Sequence, residues 1–562
     1  MKSTNIQPAA NINLKRFIAM KKLLIYKMGI VLLLVGGVIS CNDLSLAPSN
    51  EFTEENYWTS PDKAEMVLNT AYSQMSNATY FFYNAALSDN AYMGRGDAAS
   101  ISTIAQGNHN PSTNRFNNQW DMHYSGIKTT HVFLENIDNV SDMDESLKAR
   151  MKAEARFIRA WHYFRLTNWF GDVPHFTEDI SVERSQNIES TSHEDIIAFI
   201  HEELNSIQSD LPVRGEYGQA DQGRITKGAA IALNARVALY ENDWEGVVDN
   251  TEKLIGTTEN GNYGLFSSYR GVFLPQNEYN QEVIFDFQYV ENDVTHNIMF
   301  DLAPLTAGAR VNAMAPTQEL VDAYPMENGL PIEDPNSGYD ENNPYDNRDP
   351  RLDATIVRHM SEWENDDGTT RNIYIEPNTA PDEDAAADEY KGQGSNATST
   401  GYYLRKYYDP SAPANFNSGL NLIVIRYADV LLMHAEAKNE LGQMNQQVWD
   451  NTIRRLRNRA GLDQSALAYD GSWSQEELRQ LIRNERRVEL GMEGLRIHDL
   501  RRWETAEDVL NGPVHGAAYG SPTDEIGMIL TERTFNPSRD YWWPIPQAEL
   551  DLNDNLEQNP GY

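Results

Sequence analysis

Apolar side chains recur at helical spacing over several long stretches of this chain. Ala64, Val67, Leu68, Ala71 and Tyr72 fall at i, i+3, i+4, i+7 and i+8, the stripe that lets one face of a helix be buried. Ser60-Pro61-Asp62 ahead of them reads as an N-cap followed by proline at the first helical position. In MKAEARFIRAWHYFRLTNWF, residues 151–170, the side chains of Ala153, Phe157, Ala160, Trp161 and Phe164 share a stripe, which Gly171-Asp172-Val173-Pro174 ends. Residues 226–255 read as a helical hairpin turning at Asn242-Asp243. A further cluster covers 424–460, broken at Gly442, and another covers 475–503. Alanines at close-packing positions, large aromatics opposite them and short turns predict stacked helix pairs of the tetratricopeptide type, too irregular for a clean repeat.

Between these pairs the composition changes. Residues 78–124 are rich in Asn, Tyr, Gly and Ser, and residues 259–420 in Pro, Gly, Asn, Asp and Tyr. Insertions of that length inside a helical frame usually carry function. Short strands are expected at 283–290 and 371–375, and a mobile loop at 378–400.

The 562 residues hold 83 Asp and Glu against 46 Lys and Arg, a formal charge of −37. The first 40 residues contain six basic residues and no acid, so the remainder is more acidic still. That balance argues against nucleic acid and anionic lipid as partners. Cys41 is the only cysteine, which rules out an internal disulfide or a thiolate metal cluster and leaves a bystander, a nucleophile or an attachment point. Upstream of it stand Lys21, Lys22 and Lys27, then an apolar run over 28–39 and small residues, the layout of an export signal starting at Met20. The run is too short for a membrane span, which needs about 20 apolar residues. Val38-Ile39-Ser40-Cys41 resembles the lipobox of bacterial lipoproteins, in which the cysteine becomes the first mature residue and carries lipid. Each buried acyl methylene contributes about 0.8 kcal/mol to such an anchor. An uncleaved signal anchor and a buried structural cysteine are the competing readings.

Several blocks together resemble the SusD/RagB family of outer-membrane nutrient-uptake lipoproteins. They are CNDLSLAPSN after the lipobox, EARFIRAWHYFRLTNWFGDVP, GRITKGAAIALNARVALY, NRDPRL at 347–352, GYYLRKYYD at 401–409, IRYADVLLMHAEAKNELG at 425–442, IRRLRNRAGL at 453–462, LIRNERRVELGMEGLRIHDLRRW at 481–503, and the ending YWWPIPQAELDLNDNLEQNPGY. The resemblance implies a mostly α fold, with four tetratricopeptide-like helix pairs as a scaffold and inserted loops and short strands as a ligand face. It implies a lipid-anchored protein on the outside of the outer membrane that captures oligosaccharide and caps a TonB-dependent barrel of the SusC type, with no catalysis and no cofactor. The expected organisation is a signal at 1–40, a lipidated tether at 41–50, an N-terminal helical region at 51–258 with a binding loop at 78–124, a loop-rich insert at 259–420 and a C-terminal helical region at 421–562.

Glycan capture needs aromatic faces against the CH patches of sugar rings and planar amides, carboxylates or guanidiniums for hydroxyl pairs. ATYFFYNAALSDNAYMGRGD, 78–97, offers both. Phe81 and Phe82 read as packing, and Asp89, Asn90, Tyr92 and Arg95 as candidate ligand contacts. Tyr289 and Asn292, at the end of the expected strand, and Trp363 in HMSEWENDDG are further candidates. Arg483, Arg486 and Arg487 read as members of a structural network with helical-spaced Glu partners, an anion site built by the three being the alternative. The chain has no H-E-x-x-H, G-x-S-x-G, phosphate-loop or strand-following G-x-G-x-x-G signature. Residues 340–349 and 364–368 supply hard oxygen ligands of the kind calcium takes, without EF-hand spacing; a solvated turn is the plainer reading. A surface glycoside hydrolase and a protein-docking tetratricopeptide scaffold are the alternative functions.

Overall fold

A computed structural model describes residues 58–95, 100–365, 367–392, 394–412, 414–519 and 529–562. Cys41 and the expected export signal lie outside the described residues. The chain is mostly helical. Its principal helices are α1 (Pro61–Gln74), α2 (Ala78–Tyr83), α3 (Asn114–Asn136), α4 (Glu145–Phe170), α5 (His193–Ser206), α6 (Lys227–Tyr240), α7 (Trp244–Thr251), α8 (Tyr427–Glu440), α9 (Ile453–Ala460), α10 (Gln475–Glu489) and α11 (Arg496–Arg502). Short strands follow between and around them: β1 (Ala91–Met93), β2 (Val283–Phe287), β3 (Met314–Pro316), β4 (Ser361–Glu364), β5 (Thr370–Ile373) and β6 (Leu422–Arg426).

Helix α1 packs on α3, α3 on α4, α4 on α5, α5 on α6, α6 on α7, α7 on α8 and α8 on α10. This is a one-dimensional stack in which each helix touches its neighbours in order, and it contains the pairs α1 with α3, α4 with α5, α6 with α7 and α8 with α10. The ends are set locally. Asp144 accepts from the backbone N–H groups of Ser146 and Leu147 to start α4, Thr226 from Ala229 to start α6, and Asp243 from Gly246 to start α7. Ser474 and Glu477 form a reciprocal capping box on α10. Gly171 ends α4 with φ +74, a conformation that costs other residues energy. Where α3 crosses α4, a Cβ on Gly126 would stand 2.1 Å from Nε2 of His162, so only glycine lets the two helices come this close.

The expected helix over 475–503 is interrupted: α10 ends at Glu489 and α11 resumes at Arg496. The interruption serves a buried ion network. Arg426 at the end of β6 bonds Glu282 (2.7 Å), Glu489 (2.6 Å) and Glu493 (2.8 Å). Arg351 bonds Asp349 (2.6 Å), Glu485 (2.7 Å) and Glu489 (2.9 Å), and Lys406 bonds Glu493 at 2.6 Å. Arg486 spans Asp429 on α8 and Asp499 on α11. With Arg457 on Glu485 and Arg459 on Glu282, the blocks around 347–352, 401–409, 425–442, 453–462 and 481–503 converge on one network. The reading of Arg486 as structural agrees with this, but its partners and those of Glu485 and Glu489 come from other elements, not from neighbouring turns of α10. Burial by itself would raise the Glu489 carboxyl; the guanidiniums of Arg459, Arg426 and Arg351 outweigh it and hold the group well below the usual carboxylate range.

The segment expected to be a mobile loop, 378–400, is partly interior. Thr398, Ser399 and Thr400 are buried, and the buried Asp388 carboxylate accepts from the backbone N–H of Leu305 at 2.5 Å. The C-terminal segment lies over the helices, with Ile545 buried and Trp543 stacked on Trp169 of α4.

Candidate functional site

Strand β1 pairs antiparallel with β3, Ala91 opposite Pro316 and Met93 opposite Met314. The pairing brings the chain after β1 against the chain before β3: the N–H groups of Gly94 and Arg95 both reach the carbonyl of Ala313, at 2.9 and 3.3 Å. Arg95 is exposed, and its Nη1 donates to the carbonyl of Gly394 at 2.9 Å. Ala313 in turn donates to the carbonyl of Asp301 at 2.7 Å, and Arg310 to that of Phe300 at 3.1 Å. The 300–313 loop therefore doubles back and lays the Arg310 guanidinium 5.2 Å from the centre of the Phe300 ring. Two parallel bonds to the Asp301 carboxylate, 2.5 and 2.9 Å long, fix its plane. The Arg310 side chain is nonetheless 61% exposed and Asp301 20%. A guanidinium oriented by a carboxylate and backed by a half-buried aromatic ring presents fixed donors, acceptor lone pairs and an apolar surface together.

Neighbouring loops join this surface through buried contacts. Phe416 lies 6.4 Å from Phe300, Ser418 pairs with His296, and the Tyr289 ring stands edge-on to His296 at 4.7 Å. Tyr289 is half-buried, while Asn292, at φ +64, is exposed in the turn between Val290 and Val294. Both valines are 53% exposed. Arg95, Tyr289 and Asn292 therefore belong to one connected run of loops. Tyr92 is half-buried within β1, where burial raises its hydroxyl pKa.

Three expected contacts are corrected by burial. Asp89 is 8% exposed and bonds Arg487 and Arg496, each at 2.9 Å. Burial would raise its carboxyl, but the two guanidiniums hold it well below the usual range. Asn90 is 2% exposed and accepts from Nε of Arg487 at 2.9 Å. Asp89 ties the loop after α2 to α10 and α11, and Asn90 ties it to α10, which leaves little of either residue facing solvent. Trp363 is 1% exposed and packs on Tyr408 with ring centres 4.2 Å apart. The signal was in the alternation of SEWE: on β4 Glu362 and Glu364 face out, so Trp363 faces in. In the stretch considered for calcium, Asp340 accepts from the backbone N–H of Asn342 (3.0 Å) and the side-chain amide of Asn343 (2.9 Å), closing its own turn. Among the described residues no group of three or more His, Cys, Asp or Glu could hold a metal ion.

Sequence reasoning missed Phe300, Asp301 and Arg310, whose arrangement depends on a backbone turn with no local signature. It also missed a hollow of about 330 Å³ between the 214–226 loop and β2, lined by Arg214, Tyr217, Gln222, Tyr263, Tyr279 and Asp286. Its tyrosines are fixed by their hydroxyls, Tyr217 on the carbonyl of Ile225 (2.8 Å) and Tyr279 on Gln288 (2.6 Å). Burial, with Glu278 nearby, pushes the Asp286 carboxyl up to about 7. The Tyr, Gly and Gln content of residues 215–223 was the available signal.

Residues 47–239 match a family model described as starch-binding, associating with the outer membrane. The chain is 25% identical over 557 residues to SusD-like protein P2 of Formosa agariphila, covering 96% of this chain and 99% of that one. A SusD-like carbohydrate-binding protein from Bacteroides fragilis superimposes with TM-score 0.80 at 30% identity, covering 89% of this chain and 100% of the other. A second SusD-like protein from the same organism gives TM-score 0.76 at 28% identity over 92% of this chain and 100% of its own. Residues 281–562, half of the chain, match the model of the SusD family, to which this chain belongs.

Proposed function

We propose that the protein is a non-catalytic glycan receptor held on the cell surface by lipid on Cys41, which captures oligosaccharide and passes it to a SusC-like TonB-dependent transporter. The observation that carries this reading is the Arg310–Asp301 pair over Phe300: an exposed planar donor array on an aromatic platform binds hydroxyl pairs and sugar faces without a chemical step. Arg95, Tyr289 and Asn292 supply flanking contacts, with Tyr92 behind them. The description of the Bacteroides fragilis relative as carbohydrate-binding supports the ligand class, and the outer-membrane association in the description of the 47–239 match supports the location. The charge of −37 favours a neutral glycan over a sulfated or uronic one.

Affinity electrophoresis of the purified protein in gels containing different polysaccharides tests the reading. Retardation by a neutral glycan, lost in Phe300→Ala and Arg310→Ala, is expected, with no reducing ends released on incubation. Retardation unchanged in both variants but lost in Tyr217→Ala and Tyr279→Ala would move the site to the 330 Å³ hollow. Release of reducing ends would make the protein a hydrolase, and silence towards every glycan with stable capture of protein partners would make it a docking scaffold. Mass spectrometry of the mature N-terminus, and co-purification of a transporter barrel, test the anchor and the partner.

A further inference from the structure

A second hollow, of about 70 Å³, opens beside Tyr80 between α2, α3 and α4, and its walls carry buried donors with nothing to bond. Among the described residues Nε2 of Gln119, Nε1 of Trp161 and Nε of Arg236 have no hydrogen-bond partner. All three residues line the hollow and are at most 5% exposed. A buried donor left unpaired loses its bonds to water and gains none in return, so three in one place call for an acceptor.

The charge balance identifies its sign. Arg165 lines the hollow; its Nη1 reaches only Nε2 of His498, at 3.3 Å, and no carboxylate among the described residues pairs with it. Behind the wall, Arg115 is 1% exposed, donates to Oδ1 of Asn84 at 2.7 Å and lies 3.6 Å from the centre of the Tyr80 ring, again without a carboxylate among the described residues. Burial lowers its pKa to about 9, and Arg165 adds to the lowering. His123 and His162, which share a 3.0 Å bond between their Nδ1 atoms, are kept neutral by burial. The acid at the edge of the hollow, Glu493, is already engaged by Lys406 and Arg426. Arg236 is balanced by Asp429. Arg115, buried, and Arg165, half-buried at the hollow, thus stand without a counter-charge, a state whose cost rises with burial.

We propose that this hollow is a binding site for a small monovalent inorganic anion of halide size, held by the Arg165 guanidinium and the free N–H groups of Gln119, Trp161 and Arg236. The hollow has room for an ion with a few waters. Asn77, which is exposed, and Met122, which is half-buried, stand at its mouth and leave a path for exchange with solvent.

Crystals of the protein grown or soaked in sodium bromide should show an anomalous peak in contact with Arg165 and Nε1 of Trp161. In thermal unfolding at constant ionic strength, with chloride replacing gluconate, the midpoint should rise by about 1–2 °C for each tenfold increase in chloride above its dissociation constant. Arg165→Gln should abolish that response and Gln119→Leu should shift it to higher chloride. Absence of bromide from the hollow, identical midpoints of the parent protein in the two salts, or a chloride response that survives in both variants would each overturn the proposal.

Discussion

Trp169 near the end of α4 and Trp543 near the C-terminus stack with ring centres 3.8 Å apart and planes 11° from parallel, and the backbone N–H of Trp543 donates to the carbonyl of Trp169 at 2.7 Å. The two residues are separated by most of the scaffold in sequence, and the contact seals the helical stack with the last extended segment. Trp543→Ala removes a ring that is 4% exposed and should cost about 3–5 kcal/mol, read as a lowered denaturation midpoint together with loss of near-ultraviolet circular dichroism.

Arg426 is the hub that joins β6 to the residue before β2, to α10 and to the turn after α10 through Glu282, Glu489 and Glu493. Arg426→Met leaves three carboxylates in a buried site with one cation fewer. A loss of about 3–5 kcal/mol is expected, measured by equilibrium denaturation, and a truncation to Met should be no milder than one to Lys, which keeps the charge.

The same network sets the acid limb of stability. Glu489, Glu485, Glu493 and Asp429 all have folded-state pKa values below their ordinary ones, because neighbouring guanidiniums, and Lys406 for Glu493, outweigh the effect of burial. Groups shifted down contribute stability above their unfolded pKa of about 4 and lose it as pH falls through the folded value. The denaturation midpoint should therefore fall progressively below about pH 4.5, and the fall should be shallower in a Glu489→Gln variant.

Asp286 acts in the opposite direction. Its pKa is raised to about 7 by burial and by Glu278, so its contribution is fully present below the unfolded value and is lost as pH rises through 7. Between pH 5 and 7.5 it should lower stability by at most about 1.4 kcal/mol per pH unit. Asp286→Asn should remove that slope, which a series of urea titrations across the range would show.

Substitutions at Asp89 and Trp363 should change stability and leave glycan affinity where it is, since both side chains are buried and engaged within the fold. Trp363→Ala is expected to cost about 3–5 kcal/mol. Calorimetric titration of the variant at a temperature where it remains folded would check this; a lost affinity with unchanged stability would return Trp363 to the ligand face.

The helical frame was legible in the sequence because a half-buried helix must repeat its apolar residues every three to four positions, and the stripes at 64–72, 151–170 and 226–255 do so. The caps at Thr226, Asp243 and Ser474 and the stop at Gly171 are likewise local chemistry that short stretches encode by themselves. The family blocks were legible as a set, and their Arg and Glu residues as a packing network. What the sequence left open is who meets whom. Arg351 and Glu489 stand 138 residues apart, and no periodicity links them. Asp89 and Arg95 stand six positions apart in one polar stretch, on either side of β1, yet one is sealed beneath Arg487 and Arg496 while the other faces solvent. Side-chain chemistry determined which groups were able to bind a sugar or an ion. Long-range packing decided which of them are exposed, because burial depends on elements that arrive from elsewhere in the chain.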